Sequence, residues 1–278
     1  MFRRSVWVVM LFLLVGCTGL PAIKNIQVFD EKDYIAGGLQ DTINQAVYSR
    51  LPDYEKLTYE VKWLGLKIGT LTTSIMGIKN YKGRDVYVLE ATMKTDDFFS
   101  RVYKIEDRFV SYLDAEKLHT LHHEVYRRDG SYRKDAVTEF DQINHKAYFK
   151  NFIDNSEKIF DIPIGTHDIL SACYYFMILP LKLGGGVNYY VCNNESNYQF
   201  FGFVRSKASI RLPAMGKKKW EAILLEPYAQ LKGKKVDKGR VRAYFSTDKR
   251  RIPLMATVKG PIFSEVTISL VKIEEGSK

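Results

Sequence analysis

The chain has 278 residues, 46% of them hydrophobic, and it is unusually rich in Tyr (18) and Phe (16). That density of aromatic side chains excludes a disordered chain and reads as a packed sheet protein. The formal charge of +10 is spread along the sequence, which argues against a nucleic-acid footprint and for attraction to an anionic membrane or glycolipid surface.

At the N-terminus Arg3 and Arg4 precede an apolar run over 6–15, closed by Leu14-Val15-Gly16-Cys17. The arrangement resembles the cleavage and lipidation box of bacterial lipoproteins. Residues 1–16 are then the signal peptide, Gly16 the small residue before the cut, and Cys17 the lipid-bearing first residue of the mature chain. The run is too short to span a bilayer, which takes about 20 apolar residues; an uncut N-terminal anchor is the alternative. Acyl chains such as palmitate stabilise attachment by about 0.8 kcal/mol per buried CH₂, so a diacylated Cys17 holds without help from the protein. Thr18 is not the aspartate that retains such proteins in the inner membrane. The periplasmic side of the outer membrane is therefore the expected location, with the outer leaflet of the inner membrane second. Without residues 1–16, which carry two arginines and no acid, the charge is +8.

Residues 17–53 read as the lipidated cysteine and a tether with a short helical stretch. From residue 57 the pattern changes to alternation: Tyr59, Val61 and Trp63 against Glu60 and Lys62, then strands over 67–76 and 85–94. The same grammar predicts strands over 103–113, 118–128, 132–140 and 146–153, joined by short turns such as Asp129-Gly130. No helix-length segment separates them, so the connections are those of a meander. Residues 166–179 are the exception. Asp168 or Thr166 can cap a helix that Ile169, Leu170, Cys173, Tyr174, Phe176, Met177 and Ile178 make apolar on nearly every side. Such a helix needs enclosure. Strands resume over 186–191, 196–205, 218–225, 240–246, 251–258 and 261–271. The fold class expected is mainly β: a single domain over 54–278 with a large, strongly curved antiparallel sheet or incomplete β-barrel wrapping one apolar helix, or alternatively two packed sheets.

The run Tyr59-Glu60-Val61-Lys62-Trp63-Leu64-Gly65-Leu66-Lys67-Ile68-Gly69 resembles the opening of DUF3108, a bacterial family of unknown function. Further matching positions are 127–133 with Asp135, Asp168-Ile169-Leu170-Ser171, Tyr174-Tyr175, Gly233, Ser246, Asp248 and Arg250-Arg251-Ile252-Pro253. The resemblance covers roughly 54–272 and implies an exported protein with a large antiparallel sheet. It also implies a distant kinship with periplasmic lipoprotein carriers, whose half-barrel takes lipid chains. Where the family leads one to expect an arginine after the two tyrosines, this chain has Phe176 and Met177, which implies a greasier helix interior.

Function follows from the expected mismatch between sheet and helix, which leaves apolar volume for a lipid or acyl chain in a cavity of about 300–1,000 Å³. Its expected lining is Trp63, Leu64, Leu66, Ile68, Ile169, Cys173, Phe176 and Met177, with Gly184, Gly185 and Gly186 as a movable gate. Arg127, Arg128 and Arg133 are either cross-strand contacts or a rim for anionic headgroups. Cys173 and Cys192 are free to pair or not. His119, His122 and His123 do not match a helical zinc motif, and no metal or cofactor is expected. Ser171 and Asp168 lie on a helix rather than a nucleophile elbow, so a hydrolase is the minor alternative. The main alternative is a structural or envelope-assembly lipoprotein that binds a protein partner through edge strands and takes no ligand.

Overall fold

The computed structural model describes residues 51–179, 183–193, 195–236, 241–259 and 265–276. Residues 1–16, Cys17 and nearly all of the tether lie outside them. Leu51, at the end of that tether, is buried in the main core.

The first half of the chain forms β1 (Glu55–Trp63), β2 (Leu66–Tyr81), β3 (Arg84–Thr95), β4 (Glu106–Asp114), β5 (Thr120–Asp129), β6 (Tyr132–Asp141), β7 (Lys146–Asn151) and β8 (Glu157–Asp161), with a single turn of helix, α1 (Asp97–Ser100), between β3 and β4. Apolar residues alternate along these strands because the pleat sends successive side chains to opposite faces. In β1, Leu57, Tyr59 and Val61 are buried while Thr58, Glu60 and Lys62 are less so. The hairpin turns use residues that accept positive φ: Leu64-Gly65 at 51° and 80°, and Lys82-Gly83 at 51° and 81°. Gly69 serves differently, because a Cβ there would stand 2.5 Å from the Lys94 carbonyl oxygen, so only glycine lets β3 approach.

The second half forms β9 (Gly186–Asn193), β10 (Ser196–Arg211), β11 (Lys219–Leu231), β12 (Lys234–Lys235), β13 (Val241–Ser246), β14 (Pro253–Lys259) and β15 (Glu265–Glu275). Each half is a meander, and the antiparallel pairing of β1 with β15 joins them into one sheet. The strand order is β8-β7-β6-β5-β4-β3-β2-β1-β15-β14-β13-β11-β10-β9, with β12 paired to β11.

This order corrects the expected fold class. Among the described residues the sheet is one open, antiparallel sheet, neither closed nor a strongly curved incomplete barrel, and it is not divided into two packed sheets. Closure requires the end strands to exchange ladder bonds. Here β8 and β9 exchange none. Between these ends Asn197 Nδ2, near the start of β10, donates to the Asp161 main-chain carbonyl at 2.6 Å, and Lys158 faces Glu195 at 3.4 Å. Both ends are protected in other ways. β8 is short, exposed and charged, with Lys146 on Asp161 and Lys150 on Glu157. The free edge of β9 is occupied by His167, whose amide donates to the Tyr190 carbonyl and whose carbonyl accepts from the Cys192 amide.

Between β8 and β9 lies α2 (Ile169–Ile178), shorter than the predicted 166–179. It packs against β3, β4 and β9, so it touches both meanders. Ile169, Leu170, Ala172, Tyr174, Phe176, Met177 and Ile178 are all buried in the main core. Burying a side chain such as Ile, Leu, Phe or Met contributes about 1.5–3 kcal/mol. Enclosure of this apolar coat is what fixes the helix on the sheet.

Candidate functional site

The start of α2 is set by Asp168, wholly buried, whose Oδ1 accepts from the amides of Leu170 (2.7 Å) and Ser171 (3.1 Å). The same carboxylate reaches the sheet. Ser111 Oγ on β4 donates to Oδ1 at 2.7 Å and Thr120 Oγ1 on β5 to Oδ2 at 2.8 Å. Thr120 Oγ1 in turn accepts from the Asp168 amide, and Gln142 Nε2 ties the Thr120 carbonyl to that of Thr166. His123 Nδ1 lies 3.3 Å from Oδ1 and 3.0 Å from Ser111 Oγ. Burial pushes the Asp168 carboxyl up, but His123 and the hydrogen bonds from Ser111, Ser171 and Thr120 reverse this and leave it below the usual carboxylate range. Burial pushes His123 down, and it drives His167, stacked on Tyr175 with 4.3 Å between ring centroids, to about 3. A serine, a histidine and an aspartate therefore meet here, but Ser111 donates to the aspartate itself and is wholly buried. The arrangement caps and orients the helix; no nucleophile is presented to a cleft.

Alongside α2 lies a cavity of about 190 Å³, walled by Ile169, Cys173, Phe176 and Met177 from the helix and by Leu57, Leu71, Tyr189, Leu225, Ala243, Phe245 and Met255 from the sheet. Among the described residues no charged side chain lines it. The volume is smaller than expected from sequence, yet it exceeds the void of about 150 Å³ that stays dry and admits benzene in an engineered core.

The sequence-predicted lining divides in two. Ile169, Cys173, Phe176 and Met177 stand together on the cavity wall. Trp63, Leu64, Leu66 and Ile68 stand apart from it: Ile68 is in the core, Trp63 packs on the core's edge, and Leu64 and Leu66 are 66% and 62% exposed. The reason is the β1–β2 turn, where positive φ at Leu64 and Gly65 carries the apolar side chains outward. Gly184, Gly185 and Gly186 also lie off the wall. The Gly184 amide donates to the Val204 carbonyl, the Val204 amide donates to the Gly185 carbonyl, and Gly186 pairs with Phe203 in the β9–β10 ladder. Cys173 lines the cavity, Cys192 sits in a small core with Phe140, Ala147 and Ile162, and both are free thiols. Burial raises each to about 12.

Two of the three arginines, Arg127 and Arg128, reach across strands. Arg127 is buried, with Nε on Asp107 and one terminal nitrogen on Asp129, both at 3.1 Å. Arg128 forms a two-pronged pair with Asp135 on β6, and Arg133 is exposed, donating to the Gly130 and Tyr132 carbonyls. His122 is bound by Glu139 at 2.7 Å and Glu124 at 3.1 Å. Among the described residues no group of three or more His, Cys, Asp or Glu is placed to hold a metal ion.

Sequence reasoning missed the polar end beside the cavity. Glu55, at the first position of β1, is 1% exposed and its Oε1 has no hydrogen bond. Desolvation raises its carboxyl to about 7, with Arg250 opposing and Asp248 adding to the shift. Its charge is felt by Tyr59 and Tyr174, both on the cavity wall. A carboxyl whose folded pKa lies above its unfolded value contributes most at low pH, and that contribution fades as pH rises from 4.5 through about 7. Glu55→Gln should therefore gain on the native protein by up to about 3 kcal/mol between mildly acidic and mildly alkaline urea unfolding series. An offset that is the same at both ends of the pH range would show that Glu55 does not titrate in this way.

Residues 58–270 match the family model described as a protein of unknown function, DUF3108. The chain belongs to the DUF3108 family. No curated protein matches it. Among solved structures, this chain resembles a β-barrel-like protein of the DUF1849 domain family from Brucella abortus: 9% identity, TM-score 0.54, with 83% of this chain and 100% of that one covered. At that identity the likeness concerns the fold alone. A protein from Bacteroides fragilis, provisionally described as exported and with a YmcC-like fold, aligns at 10% identity and TM-score 0.32, covering 83% of this chain and all of that one. A provisional lipoprotein from Parabacteroides distasonis aligns at 4% and 0.37, covering 83% and 99%.

Proposed function

We propose that this DUF3108 chain is an exported lipoprotein, acylated at Cys17 and held on the periplasmic side of the outer membrane, that binds an apolar ligand without catalysis in the cavity between α2 and the sheet. The cavity carries the reading: about 190 Å³ of space walled by apolar side chains and, among the described residues, by no charged one, in a protein interior that ordinarily packs without voids of that size. That volume suits a short stretch of acyl chain or a compact apolar group rather than a whole lipid. The leader over 1–16 and the Cys17 box support the location, and with the cavity they extend the proposal to a distant kinship with periplasmic lipoprotein carriers.

Native mass spectrometry of the full protein, extracted into detergent-free lipid discs, tests each part. The expected mass lacks residues 1–16, carries a diacylglyceryl group on Cys17 and shows one further non-covalent adduct that dissociates on activation. An uncleaved, unacylated mass contradicts the location; a chain that never retains an adduct contradicts the ligand.

A further inference from the structure

Among the described residues five tyrosines line the cavity: Tyr59, Tyr174, Tyr189, Tyr198 and Tyr228. A buried phenol normally finds an acceptor. Tyr59 donates to the Pro253 carbonyl at 3.1 Å and Tyr189 to the Ala172 carbonyl at 3.1 Å. Tyr174 differs. It is 2% exposed, its hydroxyl makes no hydrogen bond of ordinary length, and Thr73 is the polar neighbour on the same wall. Asn193 Nδ2, on a residue that also lines the cavity, is likewise buried and unpaired. Two donors without acceptors, in walls otherwise apolar, describe a site that lacks an acceptor. An anionic acceptor is disfavoured on two counts: among the described residues no Lys or Arg lines the cavity, and the Glu55 carboxyl acts on Tyr174. Burying a carboxylate without a cation costs far more than burying a neutral carbonyl.

We propose that the ligand is an uncharged apolar molecule bearing a hydrogen-bond acceptor, of which an acyl ester is the simplest class, and that the Tyr174 hydroxyl donates to that acceptor. The proposal rests on reading the cavity as a ligand site and names what the site selects: the ester over the free acid.

Met177 and Met255 both line the cavity, so their methyl groups report occupancy directly. The full chain, labelled with ¹³C-methyl methionine and anchored in detergent-free discs, is titrated with methyl hexanoate, hexanoate and heptane near neutral pH, alongside Tyr174→Phe. Partition into the disc is common to both proteins and cancels in their ratio. Tyr174→Phe removes only an unpaired hydroxyl, so it keeps the fold. The expected result is methyl hexanoate bound about tenfold more weakly by Tyr174→Phe than by the native chain, heptane bound equally by both, and hexanoate weakest of the three. Equal ester affinity in the two proteins, or hexanoate matching its ester, overturns the choice of ligand class while leaving the cavity a ligand site. Silence of both methionine methyls toward all three probes overturns the site itself and this inference with it.

Discussion

Asp168→Ala is expected to destabilise the protein by about 3–5 kcal/mol, a large share of the 5–15 kcal/mol that holds a typical domain together. The substitution removes the acceptor of four donors in an interior where water cannot replace it: the amides of Leu170 and Ser171, and the hydroxyls of Ser111 and Thr120, which keep His123 Nδ1 and Ser171 Oγ within reach. Helix and sheet lose their shared anchor together, because the side chain that caps α2 is also the one that β4 and β5 hold. Asp168→Asn keeps one acceptor but adds two donors to a group of donors, so about 1–3 kcal/mol is expected for it. Since the folded pKa of Asp168 lies below its unfolded value, its contribution is present above the unfolded pKa and is lost as pH falls through the folded one. Urea unfolding at neutral pH measures the losses. If Asp168→Ala loses less than about 1 kcal/mol, the capping network does not hold the helix on the sheet.

Phe176→Ala should cost about 3–5 kcal/mol as well, by a different route. The Phe176 ring is 2% exposed, packs on Phe245 with 4.7 Å between centroids, and forms part of the cavity wall. Its removal adds void to a space already present, and the long sheet strands around it are pinned by ladders on both sides, so little collapse is available to refill the gap. An apolar ligand of aromatic size should restore part of the lost stability in proportion to its occupancy, following RT ln(1 + [L]/Kd). Thermal unfolding with and without benzene reads both effects. A small loss with no response to benzene would show that the walls close over the gap and that the cavity is not held open by the fold.

Local features were legible in the sequence, and distant ones were not. Period-two alternation placed most strands within a few residues because one face of each is buried, as in Leu57, Tyr59 and Val61. Asp168 as a cap and the apolar coat of α2 were readable for the same reason: capping and amphipathicity depend on neighbours within one turn. β8 was missed because Glu157–Asp161 is an exposed edge with no alternation to read. The pairing of β1 with β15 joins residues some 200 positions apart, and no local signal encodes it. Without that pairing the strand order, and with it the open ends at β8 and β9, could not be derived, which is why curvature and closure were expected instead. The cavity divides along the same line. Its helical wall followed from the apolar helix, whereas the sheet wall depends on which face of β11, β13 and β14 turns toward α2. Trp63 and Leu64 read as lining because they are apolar residues beside Gly65, and that same glycine turn takes Leu64 out into solvent.

The proposed function requires an apolar molecule in the cavity. Ala243, on β13 between Val241 and Phe245, lines the cavity, and Ala243→Leu sends three added carbons into the space without removing any existing contact. Crystals of the native protein and of Ala243→Leu, each soaked with a bromine-tagged acyl ester, locate the ligand by the anomalous scattering of bromine. The expected result is a bromine peak bounded by Ile169, Cys173, Phe176 and Met177 in the native protein and its loss in Ala243→Leu. A native cavity without bromine, or an equal peak in both proteins, would contradict it.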